Sequence, residues 1–118
     1  MRPFRFSLQA VLTVRMDREG KALEAFAKAQ AAFEAIAASF RLIQKEIDDT
    51  LGQRRDALRT AASSEAVQQM QQGLRALKEA AQRCQAELQR AQASLDEKSK
   101  VLLEARRDRE VVDKVRQK

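Results

Sequence analysis

Apolar residues recur every three or four positions along two long stretches of the chain. The first stretch runs through Leu8, Leu12, Ala22, Phe26, Ala29, Phe33, Ile36, Phe40, Ile43 and Ile47. The second runs through Val67, Met70, Leu74, Leu77, Ala81, Cys84, Leu88, Ala91, Leu95, Leu102, Ala105 and Val112. A repeat averaging 3.5 residues, kept up over many heptads, lets two helices hold one apolar seam against each other. The pattern therefore predicts two long helices, at about residues 7–60 and 64–116.

The only break in the repeat lies at residues 60–65, where Ser63 or Ser64 can cap the second helix. A chain that turns back near residue 62 brings Phe40 opposite Cys84, and other large residues opposite small ones in the same way. Layers of this kind keep the packed volume nearly constant. The sequence thus predicts an all-α fold, a single-chain antiparallel two-stranded coiled-coil hairpin over residues 1–118, with residues 1–6 as an extended arm.

Composition agrees with a hairpin that forms one structural unit. The 118 residues include one Pro, three Gly, five Phe and no Trp or Tyr, so no compact globular core of normal size is available. The apolar run after Arg2 and Arg5 is too short for a secretory signal, and no stretch is long enough to span a membrane. Cys84 is interpreted as a small buried apolar residue rather than a reactive thiol, which favours a cytoplasmic location.

Candidate catalytic chemistry is missing from the sequence. The chain contains no His, no Gly-rich phosphate loop and no metal-ligand spacing. The adjacent carboxylates Asp48 and Asp49 point about 100° apart on a helix and do not form a shared site. We therefore expect a protein that is not an enzyme, with no cofactor, metal or small-molecule substrate.

Charge is concentrated at the end where the two helices would leave the hairpin. Residues 1–18 have a net charge of +3, residues 98–118 a net +4, and residues 19–97 a net −1. Because an antiparallel hairpin brings both basic segments together, that end should attract an acidic protein surface, nucleic acid or anionic lipid.

Apolar residues outside the seam collect at the same end. They are Phe4, Phe6, Val11, Val14, Leu103, Val111 and Val115. Leu42 is a separate, weaker candidate contact on the outer face midway along the hairpin. The seam also weakens at this end, because the fold-back places Arg15 opposite Arg109. Either a partner compensates this like-charged layer, or a nearby acid such as Glu19, Asp108 or Asp113 does.

Both ends of the chain resemble those of a known family. The opening Phe-Arg-Phe-Ser-Leu-Gln-Ala-Val-Leu at residues 4–12, followed by Arg15, is similar to the start of FliJ proteins. The ending Leu-Glu-Ala-Arg-Arg-Asp-Arg-Glu at residues 103–110, followed by Val112, Lys114 and Val115, is similar to their close. The length and the two-helix layout match as well, so the resemblance covers the whole chain. The mid-hairpin aromatic residues of some family members are absent here.

The resemblance implies a non-enzymatic stalk of the flagellar type III export apparatus with a chaperone-type role. The stalk would be cytoplasmic, peripheral at the inner membrane and attached to the membrane only through partners. Its paired termini would enter the export ATPase ring, and the hairpin would reach a membrane protein of the export gate, with export chaperones as further partners. The ring-facing residues would be Phe4, Phe6, Leu8, Val11, Leu12, Arg15, Leu102, Ala105, Arg106, Arg107, Arg109, Val112 and Val115.

Two other classes of function compete with a stalk. A basic coiled coil could bind nucleic acid or the ribosome, although the positive charge is confined to one end and lacks interleaved aromatic residues. Filter binding across a salt series would separate this class from a stalk. A structural oligomer, with the seam formed between two chains, is the second alternative, and light scattering would identify it.

Overall fold

A computed structural model describes the backbone of residues 2–117 and the side chains of residues 7–117. Helix α1 comprises Arg2–Arg59, and helix α2 comprises Ser64–Gln117. The described residues contain no strand. The predicted all-α helical hairpin is confirmed.

The start of α1 differs from the prediction. The helix begins at Arg2 rather than Ser7, so the extended arm predicted for residues 1–6 is wrong for residues 2–6, and Met1 lies outside the described residues. Pro3 is compatible with this start, because the first turn of a helix does not need the N–H group that Pro lacks. The side chains of Phe4 and Phe6 lie outside the described residues.

The connection between the helices is a tight turn with both helix ends capped. Ala61 adopts a left-handed φ of 54°, and the amide of Ala62 donates to the Ala57 carbonyl at 3.0 Å. This is the bond that defines the Schellman motif at a helix C-terminus. At the start of α2 the amide of Ala66 donates to the Ser63 hydroxyl at 3.2 Å, so Ser63 is the N-cap residue.

Contacts between Cα atoms divide the chain into two units, which we call the open half and the closed half. The open half comprises residues 1–32 and 91–118, and the closed half comprises residues 33–90 with the turn. In the closed half, the Cys84 thiol donates to the Ile36 carbonyl at 3.6 Å, and Cys84 is buried. In the open half, Gln9 accepts a hydrogen bond from Arg116. Both pairs lie within about one helical turn of the partners expected for a fold-back near residue 62.

The seam follows the predicted repeat in both halves. Every a and d position from Leu8 to Ala57 and from Val67 to Val112 is buried or half-buried. The fully buried residues are Leu12, Ala22, Ala57, Leu74, Cys84, Leu102 and Val112. Since two helices can cover only one side of each other, most seam residues keep some solvent contact, while the other faces are exposed.

Two leucines of the closed half test this seam assignment. Leu74 is 5% exposed and Leu42 is 65% exposed. We expect Leu74→Ala to lower the free energy of unfolding by about 2 kcal/mol or more, because it leaves a cavity in the seam. Leu42→Ala should cost less than about 0.5 kcal/mol. Urea denaturation followed by circular dichroism measures both values, and equal losses would contradict the assignment.

The left-handed Ala61 generates a second prediction. A left-handed conformation costs an L-residue about 1 kcal/mol, which glycine does not incur. Ala61→Gly should therefore stabilise the hairpin, with a net gain of about 0.5 kcal/mol after the extra flexibility of the unfolded chain is subtracted. The matched change Ala62→Gly should not stabilise it. A melting temperature that falls for Ala61→Gly would argue against the turn described above.

Candidate interaction surface

Exposed apolar side chains are unevenly distributed between the two halves. Among the described residues, the open half exposes eight large apolar side chains and the closed half exposes Leu42 and Leu58. The eight are Val11, Val14, Met16, Leu23, Val101, Leu103, Val111 and Val115. Clustered exposed apolar residues mark interaction sites more often than single ones do. The open half is therefore the candidate interaction surface.

Sequence reasoning identified five of these eight residues and missed Met16, Leu23 and Val101. The missed residues directly flank the seam, at heptad positions e and g. Flanking positions of a two-stranded coiled coil usually carry charged side chains. A check of those positions for apolar residues would have found all three.

The structure divides the predicted ring-facing residues into two groups. The first group is buried or half-buried in the seam and comprises Leu8, Leu12, Arg15, Leu102, Ala105, Arg109 and Val112. Val11, Arg106, Arg107 and Val115 are exposed. The second group is the more accessible to a partner while the helices stay paired, whereas most of the first group holds the two helices together.

An ion-pair cluster occupies the seam where apolar residues are missing. The Glu19 carboxylate accepts a hydrogen bond from Arg109 Nε at 2.7 Å and one from Arg106 Nε at 3.4 Å. Arg116 and Arg109 in turn approach Asp113, at 3.3 and 4.0 Å. Because the Glu19 and Arg109 side chains are only 20% and 27% exposed, this pair is less screened by solvent than a surface ion pair.

The Arg15 guanidinium has a hydrogen-bond partner outside this cluster. Its Nη1 atom donates to the backbone carbonyl of Asp108 at 2.8 Å. Two explanations were open for the like-charged layer, and the structure supports local compensation. Glu19 neutralises the charge of Arg109, and the Asp108 carbonyl accepts a hydrogen bond from Arg15. No external partner is needed to offset these charges.

Titration of Glu19 reflects the same contacts. The hydrogen bond from Arg109 is the main reason why the pKa of Glu19 lies below its usual value. The charges of Arg109 and Arg106 act in the same direction, and partial desolvation opposes them. Glu19 in turn raises the pKa of Arg109. Each group thus stabilises the charged form of the other.

The excess positive charge lies mainly in the open half. Its residues carry fourteen basic and nine acidic side chains, a net +5, while residues 33–90 carry nine and eight, a net +1. These values sum to the +6 of the whole chain. A net charge of this size steers acidic partners toward one surface.

Two shallow grooves run along opposite sides of the seam in the open half. We call them the g-side groove and the e-side groove, after the heptad positions that border them. The g-side groove is lined by Arg15, Arg18, Lys21, Ala22, Ala25, Lys98, Val101, Glu104, Ala105 and Asp108. The e-side groove is lined by Gln9, Leu12, Met16, Glu19, Gly20, Leu23, Arg109, Asp113 and Arg116. Surfaces of this kind bind other macromolecules through apolar contacts ringed by charges.

No group of His, Cys, Asp and Glu in the described part of the chain is placed to hold a metal ion. No described helix is long and apolar enough to cross a lipid bilayer.

Taken together, a two-helix hairpin with exposed apolar residues in one basic half defines a coiled-coil interaction protein. The chain matches the family model of the flagellar FliJ protein over residues 4–118. It therefore belongs to the FliJ family and is a flagellar protein related to protein export. Comparisons with curated proteins and with solved structures found no match.

Membership of the family bears on the expectation that the protein is not an enzyme. FliJ proteins are non-enzymatic flagellar components, and the family is associated with the flagellar export apparatus. This agrees with the sequence-based expectation, which rested on the residue types alone.

The Glu19 ion pair predicts a specific dependence of stability on pH. A folded-state pKa below the unfolded value of 4.5 means that the pair stabilises the fold above pH 4.5. This stabilisation is lost as the pH falls through the folded-state pKa. Glu19→Gln should therefore lower the melting temperature at pH 7 by about 3 °C, and the difference from wild type should shrink below pH 4.5.

Glu24→Gln is the matched control, because Glu24 lies on the same helix and is exposed. Its melting temperature should stay within about 1 °C of wild type at every pH. A Glu19→Gln difference that is as large at pH 3 as at pH 7 would show that the ion pair is not its cause.

Proposed function

We propose that this protein is the stalk of the flagellar type III export apparatus. In this role it promotes assembly and activity of the export ATPase ring, and it links the ring to a membrane protein of the export gate. It works in the cytoplasm, peripheral at the inner membrane, and reaches the membrane through its partners. A chaperone-type role toward export chaperones and their cargo belongs to the same proposal.

The observation that carries this proposal is the coincidence of charge and exposed apolar surface in the open half. Val11 and Val115 are 40% and 47% exposed and flank the seam close to the chain ends. Arg106 and Arg107 lie on the exposed surface of α2 nearby. The positive charge accelerates the encounter with an acidic ring. The two valines lose their water when the complex forms, and their burial slows dissociation.

The ion-pair cluster supports the same role. A stalk that contacts a ring through its chain ends must keep the two helices paired where the seam holds few apolar residues. Glu19 on α1 binds both Arg106 and Arg109 on α2, so it ties the helices together at that point. Paired helices present a pre-formed surface, which lowers the entropic cost of binding.

Leu42 is the candidate contact for the export gate. It is the most exposed large apolar side chain among the described residues, at 65%, and it lies in the closed half. An exposed leucine gains by being buried against a partner, since each buried CH₂ group is worth about 0.8 kcal/mol. A gate protein that binds here could be held while the open half contacts the ring.

Charge reversal of exposed residues outside the ion pairs tests the ring contact. Arg107→Glu combined with Lys114→Glu alters the open half without touching the Glu19 cluster. The double variant should keep its melting temperature and lose most stimulation of the export ATPase, roughly tenfold at low salt. The loss should become smaller as salt is raised, because screening weakens the wild-type attraction as well. An ATPase assay over a concentration series of the protein measures it.

Arg41→Glu combined with Arg55→Glu is the matched control in the closed half. Both residues are exposed, and the change in net charge is the same. This variant should stimulate the ATPase like wild type. If it fails while the open-half variant works, the ring contact lies in the closed half and the proposed assignment is wrong.

A further inference from the structure

The g-side groove has the residue pattern of an incomplete helical bundle. In a two-stranded coiled coil only positions a and d are apolar, whereas a helix in a larger bundle is apolar at a third position, e or g, as well. In the open half, position g is apolar at Val11, Ala25 and Ala32 on α1 and at Val101 and Val115 on α2, whereas Arg18 and Asp108 occupy the g positions between them. Both helices therefore offer apolar g positions, each interrupted by one charged residue, on the same side of the seam.

The floor of this groove is built from small side chains. Ala22 and Ala25 on α1 lie beside Ala105 and Val101 on α2. Val101 is 46% exposed, so a helix that occupied the groove would bury further apolar surface there. Small residues allow a third helix to approach at the short end of the usual 8–10 Å separation between helix axes. The g positions from Val11 to Ala25, with Arg18 between them, span about 21 Å, or four helical turns.

The rim of the groove determines the charge of its occupant. Four basic and two acidic side chains line the groove, which gives an excess of two positive charges. They are Arg15, Arg18, Lys21 and Lys98, and Glu104 and Asp108. Lys21 pairs with Asp17 at 3.1 Å, but both side chains are more than 60% exposed, so that pair is weak. An occupant with acidic side chains beside its apolar stripe would complement this rim.

We propose that the g-side groove binds an amphipathic helix of a partner protein whose apolar stripe is flanked by carboxylates. The complex would be a three-helix bundle over the open half. A second copy of this chain fits less well, because symmetric pairing would place two net-positive rims against each other. This inference goes beyond the stalk function and does not depend on it, since a helix can occupy the groove whether or not the chain stimulates an ATPase.

A synthetic helix tests the inference with the full chain. The probe is a fluorescein-labelled peptide of 21 residues, with Leu at positions a and d and Glu at e and g, and its control has Lys in place of Glu. Fluorescence anisotropy should show that the Glu peptide binds at least about tenfold more tightly than the Lys peptide. Arg18→Glu with Lys21→Glu should reverse that preference.

A second pair of variants separates docking in the groove from simple attraction of charge. Ala25→Lys with Val101→Lys makes the groove more positive but removes its apolar floor, and the hairpin tolerates it because Lys is ordinary at position g. This variant should bind the Glu peptide at least about tenfold more weakly than the wild-type chain does. Leu23→Lys with Leu103→Lys also adds two positive charges, but away from the g-side groove. This control should bind the Glu peptide at least as tightly as the wild-type chain does.

Three results would overturn the inference. One is equal binding of the Glu and Lys peptides, or no binding of either. Another is tighter binding of the Glu peptide by the Ala25→Lys, Val101→Lys variant, which would mean charge attraction without docking. The last is a wild-type dimer in light scattering that this variant dissociates, because the groove would then be occupied by a second copy.

Discussion

The packing of two apolar stripes along one seam is the interaction on which the rest of the structure depends. The part of the chain that the structure describes has no second layer, so the free energy gained along this seam must offset the conformational entropy lost by 112 helical residues. Ala, Leu, Glu, Gln and Arg keep that entropy cost tolerable, because they lose little freedom in a helix. Because two helices enclose no interior, whatever this protein does must be done by its outer faces.

The polar part of the seam shows how charge can contribute to a structure with so little interior. Glu19 and Arg109 occupy a positions of the two helices, where an apolar pair would bury more surface. Full burial of such a pair would cost more in desolvation than the attraction returns, but these side chains retain 20% and 27% exposure. A polar pair at an a position also disfavours a heptad slip that would place Glu19 opposite Leu102, because that slip separates the charges. The pair therefore favours one alignment of the open half in particular.

The sequence predicted the two helices, the turn and the seam, since the spacing of apolar residues directly reflects the geometry of a coiled coil. Its errors arose where local chemistry overrides that spacing. The repeat cannot show that a helix extends back to Arg2 through Pro3, because the sequence has Arg5 rather than an apolar residue at the seam position before Leu8. Nor does composition indicate a left-handed Ala61, where glycine is usual. Met16, Leu23 and Val101 were missed because the sequence analysis followed positions a and d, whereas these exposed residues lie at e and g.

The open half combines two properties that usually conflict. Exposed valines and leucines bind partners, yet the same residues promote association between copies of the chain. Its excess of five positive charges works against the second effect, because two copies that approach through this half repel each other. The same charge attracts acidic surfaces, so in the proposed contacts selectivity would come from the charge and the strength of binding from the apolar residues. A surface that is both basic and apolar thus favours acidic partners over a second copy of the chain.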